Sequence, residues 1–469
     1  MNKKLVIFIG TIFIFILSAN GADLRLPSIL GNHMLLQQKS DVTIWGWAEA
    51  GVTVSVKASW LDSACLTKVN DKGKWKLNIP TPEAGGPYEM IISADTTLLL
   101  KDILIGEVWV CSGQSNMEMP VKGFMSQPVY GSNDCIANSD NPNIRLFKVT
   151  KKMSTSPLED CEGEWIVSNP VDVAEFSAAG YFFGRYLQRI LKVPVGLIES
   201  CWGGTKAEAW TDEVTLKNQF KEFDLGQLKS GKVTKNSPTV LFNGMINPIL
   251  NYKIKGIVWY QGEGNRKKPE QYARLFPSMI KNWRDLWKQG EFPFYFVQIA
   301  PYKYDSTVNS AFLREAQLKT MLNTHNTGMV VTMDIGNFTT IHPPDKLLVG
   351  KRLAYWALAK TYGMEGLPYC SPIFKTMEEK GNKATLSFDY ADLGLSSFGK
   401  PLDGFQVAGK DKVFHPANAL IVRSNVIVWS DDVETPVAVR YCWENYKMGT
   451  LFNTAGLPAP SFRTDDWNE

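Results

Sequence analysis

Apolar and polar residues alternate in the stretch that follows the first 21 residues. Period-two spacing recurs in three segments, at Val42 and Ile44, at Val52, Val54 and Val56, and at Trp75, Leu77 and Ile79. Turn sequences rich in Asn, Asp and Gly separate them, as in residues 70–73. This pattern is typical of short strands with one buried face. It predicts a small all-β domain over residues 22–102.

The pattern changes near Ile103, where short runs that are apolar on both faces alternate with segments of helical spacing. The runs are strand-sized and resemble buried parallel strands, at residues 105–111, 193–200, 255–260, 294–300 and 328–335. Apolar residues at spacings of three and four predict helices over residues 177–191, 270–288, 311–322 and 345–361. This alternation predicts an α/β domain with a mainly parallel sheet over residues 103–365.

Helical spacing stops after about Gly366. Strand-sized segments follow at residues 383–389, 404–407, 419–422, 425–429 and 438–443. The sequence therefore predicts a second all-β module over residues 366–469.

The first 21 residues have the features of a secretory signal peptide. Lys3 and Lys4 precede an apolar run, and small residues at Ala19 and Gly21 favour cleavage before Ala22. An uncleaved anchor is the alternative, because the run is almost long enough to enter a bilayer. We expect cleavage, and hence a secreted or periplasmic protein that has no membrane association once the signal peptide is removed.

Composition excludes several classes of function. The chain has 469 residues, 44% hydrophobic and 21% charged, which is typical of a globular protein. Loss of the two lysines lowers the formal net charge from +3 to +1, so nothing favours nucleic acid as a partner.

The seven cysteines lack CxxC spacing and no His or Cys cluster has metal-ligand spacing, so we expect no metal. Seven is odd, which leaves at least one unpaired thiol or an intermolecular bridge.

Ligands bind at the carboxyl ends of the strands in open α/β sheets, so the loops there are the candidates for chemistry. Ser115 lies in a tight turn directly after the first strand, where its hydroxyl and its own N–H could face a crevice. The sequence there is not G-x-S-x-G, which disfavours an α/β-hydrolase elbow. Gly203 and Gly204 follow the next predicted strand and allow close approach to an anion. The usual nucleotide-binding motifs are missing, so we expect no cofactor. Structural turns are the alternative at both places.

A third loop, after the strand that ends at Tyr260, contains Gln261, Glu263 and Asn265. The two amides could donate to an oxyanion, and the carboxylate could orient its neighbours. Surface turn residues are again the alternative.

The candidate base follows from the scarcity of histidine, which occurs at positions 33, 325, 342 and 415 only. His325 lies in a polar segment before a predicted strand, at the amino end of the sheet. His342 lies at the carboxyl edge with Ser115. Asp334 ends a strand at this edge and is the favoured acid, because Asp345 has a helix-capping explanation.

Several of these motifs together resemble the sialate O-acetylesterases, which are secreted members of the SGNH hydrolase superfamily. The similar segments are residues 106–118, which include Gly113-Gln114-Ser115-Asn116-Met117, and residues 202–205, 243–246, 259–263 and 341–343. Residues 26–37 are similar to the amino-terminal β segment of that family, so the resemblance covers nearly the whole mature chain.

The resemblance implies an SGNH-like three-layer α/β domain flanked by small sandwich-like β modules. It also implies roles: Ser115 as nucleophile, His342 as base, and the backbone at Ser115, Gly203 and Gly204 with the Gln261 side chain as the oxyanion region. Many SGNH hydrolases carry Asp three residues before the histidine, where this chain has Thr339. The acid is therefore Asp334, Asp345 or no carboxylate at all, in a dyad oriented by a backbone carbonyl.

The function that this implies is removal of O-acetyl groups from sugars, with 9-O-acetylated sialic acid as the expected substrate. An esterase for acetylated polysaccharide such as xylan would use the same residues. The alternative from another class is an inactive carbohydrate-binding protein, whose fifteen tryptophans could stack on sugar faces. The presence of both Ser115 and His342 argues against it.

Overall fold

The computed structural model describes residues 23–305 and 308–467. The predicted signal peptide, residues 1–21, lies outside these ranges. No helix within the described ranges is long and apolar enough to cross a membrane. All seven cysteines are free thiols, and Cys65 alone among them is not buried.

The amino-terminal part is all-β, as its period-two pattern predicts. Its strands are β1 (Leu35–Gln37), β2 (Ser40–Trp47), β3 (Thr53–Ala58), β4 (Cys65–Lys68), β5 (Lys74–Thr81), β6 (Gly85–Ser93) and β7 (Thr97–Gly113). β2 pairs with β5, while β3 pairs with β4 and β6, all antiparallel. β7 is long enough to pair with β6 in its first half and to continue as a strand of the next sheet.

The middle part alternates helices and strands. Its elements in chain order are α1 (Ser115–Glu118), α2 (Ser132–Ala137), β8 (Asn141–Lys148), β9 (Trp165–Ser168), α3 (Pro170–Glu175), α4 (Ala178–Leu191), β10 (Val195–Cys201), α5 (Glu213–Gln219), α6 (Gly226–Ser230), β11 (Gly256–Tyr260), α7 (Pro269–Trp287), β12 (Phe294–Val297), α8 (Ala311–Asn323), β13 (Thr327–Val330) and α9 (Lys346–Trp356). Short 3-10 or π-helical turns lie at Ala207–Trp210, Phe242–Ile246, Asn247–Ile249, Glu263–Asn265 and Ala357–Thr361.

The central sheet has the strand order β13-β12-β11-β7-β10-β8-β9. Neighbouring strands are parallel except at the β8–β9 edge. Every residue of β11 is buried, because helices cover both faces: α4 packs with α9, and α7 packs with α8. The predicted three-layer α/β fold is confirmed. The sequence pattern did not reveal β8 and β9.

The carboxyl-terminal part is again all-β. Its strands are β14 (Ile373–Lys380), β15 (Lys383–Asp389), β16 (Leu395–Ser396), β17 (Phe405–Ala408), β18 (Phe414–Pro416), β19 (Asn418–Val422), β20 (Asn425–Trp429), β21 (Ala438–Tyr441), β22 (Phe452–Asn453) and β23 (Phe462–Arg463). They pair antiparallel in the orders β14-β15-β20-β19, β18-β17-β21-β23 and β16-β22. Arg314 of α8 joins this part to the middle one, since its guanidinium donates to the carbonyls of Cys442 and Glu444.

Candidate active site

Ser115 begins the short helix α1 at the carboxyl end of β7, in the middle of the parallel sheet. The turn before it requires glycine, because Gly113 has a φ of +138° and a Cβ there would lie 2.2 Å from the carbonyl oxygen of Tyr260. Gln114 then ties this turn to the loop after β11, since its Oε1 accepts from the N–H groups of Gly262 and Gly264. The turn is therefore fixed, and within the described residues the Ser115 hydroxyl makes no hydrogen bond.

His342 lies at the same edge of the molecule. Asn116, the residue after Ser115, donates from Nδ2 to the carbonyl oxygen of Ile341 at 3.1 Å, and Ile341 directly precedes His342. The structure thus joins the segment that carries the candidate nucleophile to the segment that carries the candidate base.

The ring of His342 is held by a side chain that the sequence did not single out. Its Nδ1 lies 2.5 Å from Oε1 of Gln127, which also accepts from the Thr340 hydroxyl at 3.1 Å. An amide oxygen only accepts, so Nδ1 carries the proton and Nε2 of the neutral ring is left as an acceptor. The ring of Phe124 packs edge-on against the imidazole, with centroids 5.3 Å apart.

The environment of His342 keeps the imidazole neutral. Burial, followed by the positive charge of Lys346, lowers the pKa of His342 to about 4, while the negative charge of Glu118 acts in the opposite direction. A neutral imidazole is the form that can accept a proton, so this histidine is a competent base over most of the pH range.

The glycine pair lies against Ser115. A Cβ on Gly203 would come within 3.2 Å of the Ser115 Cβ, so only glycine fits without a shift. The N–H of Gly203 donates to Glu118, whereas the N–H groups of Ser115 and Gly204 have no acceptor among the described residues. Two backbone donors beside the nucleophile are therefore free for an oxyanion.

Lys235 and Asn236 support this loop from outside. Nζ of Lys235 donates to the carbonyl oxygen of Gly203 at 2.6 Å, and Nδ2 of Asn236 donates to that of Gly204 at 3.1 Å. Both carbonyls thus have partners, which fixes the orientation of the Gly204 N–H that lies between them.

Gln261 and Asn265 bond within the protein. Nε2 of Gln261 donates to the Thr205 carbonyl at 3.1 Å and to Oδ1 of Asn265 at 2.7 Å. Nδ2 of Asn265 donates to Glu208 at 2.8 Å. Both side chains are buried and connect the loop after β10 to the loop after β11, and both Nε2 hydrogens of Gln261 are used within the protein.

Asp334 lies at the carboxyl edge of the sheet, but its hydrogen-bond partner is Arg352 and not His342. Its two carboxylate oxygens accept from the Arg352 guanidinium of α9 at 2.8 and 2.6 Å. Asp345 caps α9, with Oδ1 accepting from the N–H of Leu348 at 2.9 Å. His325 is exposed just before β13, at the amino end of the sheet, beside Glu291. The structure therefore joins the segments of Ser115 and His342 through Asn116 and Ile341, and it places Gln127, rather than Asp334, at the imidazole.

Glu263 lies under the site. It is buried, and its Oε1 accepts from Nδ2 of Asn116 at 2.6 Å. Burial raises the pKa of Glu263. In the described part of the chain, no group of three or more His, Cys, Asp or Glu side chains is arranged to hold a metal ion.

Comparison with known proteins decides the family. The profile of the family described as "Carbohydrate esterase, sialic acid-specific acetylesterase" matches residues 105–358, more than half of the chain. The chain belongs to this family. It is a carboxylic ester hydrolase, in agreement with the free Ser115 hydroxyl and the neutral His342.

Relatives match nearly the whole chain. The sialate O-acetylesterase of Rattus norvegicus is 30% identical over an alignment that covers 94% of each protein, and that of Homo sapiens is 29% identical, covering 94% of this chain and 92% of its own. A solved structure, a novel carbohydrate acetylesterase from Xanthomonas citri, is 37% identical with a TM-score of 0.87. It covers 95% of this chain and 100% of its own.

Three residues of the site were missed by sequence reasoning. Gln127 gives no signal, because it lies in an irregular segment and reaches His342 across 215 positions of sequence. Asn116 was visible as part of the Gly113–Met117 motif, but nothing in the sequence indicated its partners. Lys346 was visible only as the residue after a helix cap.

Proposed function

We propose that this esterase removes O-acetyl groups from sugar hydroxyls, with 9-O-acetylated sialic acid as its preferred substrate. The observation that carries the proposal is the hydrogen bond from His342 Nδ1 to Gln127, which leaves Nε2 of the neutral ring as the base, in a segment that Asn116 joins to the Ser115 turn. The family and the sialate O-acetylesterase relatives support the choice of an acetylated sugar.

In the proposed mechanism, Ser115 Oγ attacks the acetyl carbonyl while Nε2 of His342 takes the hydroxyl proton. The N–H groups of Ser115 and Gly204 stabilise the negative charge that develops on the carbonyl oxygen. The imidazolium then protonates the departing sugar oxygen. Water, deprotonated by the same nitrogen, hydrolyses the acetyl-enzyme and releases acetate.

Gln127 takes the place of a triad carboxylate in this mechanism. Its Oε1 fixes the tautomer and the orientation of His342, as an acid would, but it supplies no negative charge to stabilise the imidazolium. The second acceptor contact at Oε1, from Thr340, and the engagement of Asp334 by Arg352 support this assignment.

A second candidate substrate is an acetylated polysaccharide such as xylan. The Xanthomonas citri relative, at 37% identity, is named a carbohydrate acetylesterase, and that name does not restrict the acetylated sugar to sialic acid. The backbone donors act on the acetyl group alone, so the same machinery serves either sugar.

The experiment is acetate release from 9-O-acetylated sialic acid and from acetylated xylan at matched acetyl concentration. We expect a higher kcat/KM on the sialic acid ester. Ser115→Ala is the control and should lower the rate on both substrates by several orders of magnitude without changing the melting temperature. Faster release from xylan would select the second candidate. No release from either, with intact fold, would favour the carbohydrate-binding alternative.

We further propose that the enzyme is secreted or periplasmic, with residues 1–21 cleaved as a signal peptide. The lysines, apolar run and small residues of that segment support this. Amino-terminal sequencing of the exported protein should begin at Ala22. A chain that keeps its first residues and remains in the membrane fraction would instead show an anchor.

A further inference from the structure

Asn116 is the junction of three segments of the site. Its Nδ2 donates to Glu263 at 2.6 Å and to the Ile341 carbonyl at 3.1 Å, and its Oδ1 accepts from Nζ of Lys346 at 2.5 Å. The side chain is 1% exposed, so these bonds are made away from water. One amide therefore holds Lys346, the loop of His342 and the turn of Ser115 in a fixed arrangement.

Lys346 is an unusual residue for its position. It is 0% exposed, and burying an ammonium group is costly unless it is paired. It also begins α9, where the positive end of the helix dipole disfavours a cation. Both the burial of Lys346 and its position at the start of a helix are therefore unfavourable for stability. Such residues are expected where function rather than stability selects the side chain.

The charged and polar groups around Lys346 and His342 determine the electrostatic environment of the imidazole. Lys346 faces the carboxylates of Glu263 and Asp345, and its Nζ lies 5.3 Å from the ring centroid of Tyr260. His342 faces Lys346 from α9 and Glu118 from α1, and Glu118 is itself paired with Lys151. The neutral Gln127 and Phe124 complete the surroundings of the imidazole.

We propose that Lys346 is a positioning residue whose buried positive charge, fixed through Asn116, keeps His342 unprotonated and available as the base in acidic conditions. Glu263 bonds to the same amide, and because burial raises its pKa it is mostly protonated where His342 titrates and offsets little of that charge there. Burial lowers the pKa of Lys346 to about 7, so the ammonium is charged throughout the acidic range in which His342 titrates. The proposal rests on Ser115 and His342 acting as nucleophile and base, but on no particular sugar.

The test is the titration of His342 in Lys346→Met, followed by NMR of the imidazole. Only four histidines are present, and His342→Gln identifies the signal. Loss of a nearby like charge should raise the His342 pKa by about one unit. The acidic limb of kcat/KM on a chromogenic acetyl ester should move upward by the same amount.

Lys346→Met leaves Glu263 buried without its counter-charge and could fail to fold. The double variant Lys346→Met with Glu263→Gln removes both charges and should unfold cooperatively, as shown by urea titration with circular dichroism. It should give the same upward movement of the His342 titration. Lys351→Met, a half-buried lysine further along α9, is the matched control and should leave the titration and the rate unchanged.

A purely structural role gives a different result. In that case the double variant would lose rate at every pH while the titration of His342 stayed where it is in the wild type, and this outcome would overturn the proposal. The test measures the rate on a simple acetyl ester and the titration of the His342 imidazole. Its result therefore does not depend on whether the natural substrate is a sialic acid ester or acetylated xylan. Failure on both sugars with the shift intact would leave this inference standing.

Discussion

At the scale of single residues, the chemistry depends on which nitrogen of His342 carries the proton. Gln127 Oε1 accepts at Nδ1, and the Thr340 hydroxyl fills a second acceptor position on the same oxygen. A neutral partner fixes the tautomer without raising the basicity of the ring. This agrees with the low pKa of His342, about 4, for which burial is the main cause.

Two substitutions of Gln127 distinguish its role in orienting the His342 ring from the effect of a negative charge beside that ring. Gln127→Ala removes the hydrogen bond at Nδ1 and should lower kcat/KM by about 10- to 100-fold. Gln127→Glu keeps an acceptor and adds a negative charge, so it should raise the pKa of His342 and move the acidic limb upward. Rates on an acetyl ester between pH 3 and 8 provide the measurement. Gln271→Ala, at a half-buried glutamine on α7, is the control. No effect in either Gln127 variant would remove Gln127 from the mechanism.

The pH dependence of the wild-type enzyme follows from the same residue. We expect kcat/KM to rise with pH through a midpoint near 4, because His342 becomes neutral there instead of near its ordinary value of about 6.5. A steady-state profile in buffers of constant ionic strength measures it. A midpoint at the ordinary value would mean that the imidazole is more solvated than its contacts indicate.

At the scale of elements, α9 organises the carboxyl edge of the sheet. Arg352 from α9 holds Asp334 with two hydrogen bonds and also donates to the Val331 carbonyl at 2.9 Å. The first residue of the same helix, Lys346, reaches Asn116. The helix therefore fixes both the loop after β13 and the loop of His342.

These contacts lead us to expect a structural role for Asp334. The side chains of Arg352 and Asp334 are only 4% and 15% exposed, so Asp334→Asn leaves a buried charge unpaired and should lower the free energy of unfolding by about 3 kcal/mol. The kcat of the folded fraction should change less than about 10-fold. Asp345→Asn keeps a capping side chain and is the matched control. Large loss of kcat with unchanged urea stability would make Asp334 the triad acid after all.

At the scale of the whole molecule, one strand joins the amino-terminal β part to the esterase core. β7 runs from Thr97 to Gly113, through the boundary at residues 102–103 that the sequence predicts, and ends two residues before Ser115. β1 pairs with it in parallel, and the Gln37 side chain accepts from the N–H of Val108 at 2.9 Å. The nucleophile is therefore supported by a strand that both parts share.

A chain that starts at residue 103 should fail to fold. It would expose the edge of β7 and lose the amino-terminal partners of buried groups, such as the Leu35 carbonyl that accepts from the Tyr252 hydroxyl at 2.9 Å. We expect no cooperative unfolding transition and no esterase activity, whereas a chain of residues 22–469 should show both. Urea titration followed by tryptophan fluorescence distinguishes them. A stable, active fragment would show that the core folds alone.

The sequence by itself determined the elements and their order. Five of the parallel strands, the four longer helices of the middle part and several strands of each β part follow from periodicity, because burial of one face or two dictates the spacing of apolar residues. Since parallel strands share one carboxyl edge, the sequence also predicted that Ser115, the glycine pair and His342 lie at the same edge. The oxyanion role expected for the Gln261 side chain and the role of Asp334 remain predictions, and the structure gives both side chains other partners.

Only the tertiary structure decided which side chains meet at that edge. The hydrogen bonds from His342 to Gln127 and from Lys346 to Asn116 join residues more than 200 positions apart, in loops or at helix ends whose conformations carry no periodic signal. Such contacts arise from the docking of whole elements. Local propensity acts over a few residues and cannot specify them, so the partner of the imidazole and the buried charge beside it were visible only once the chain was folded.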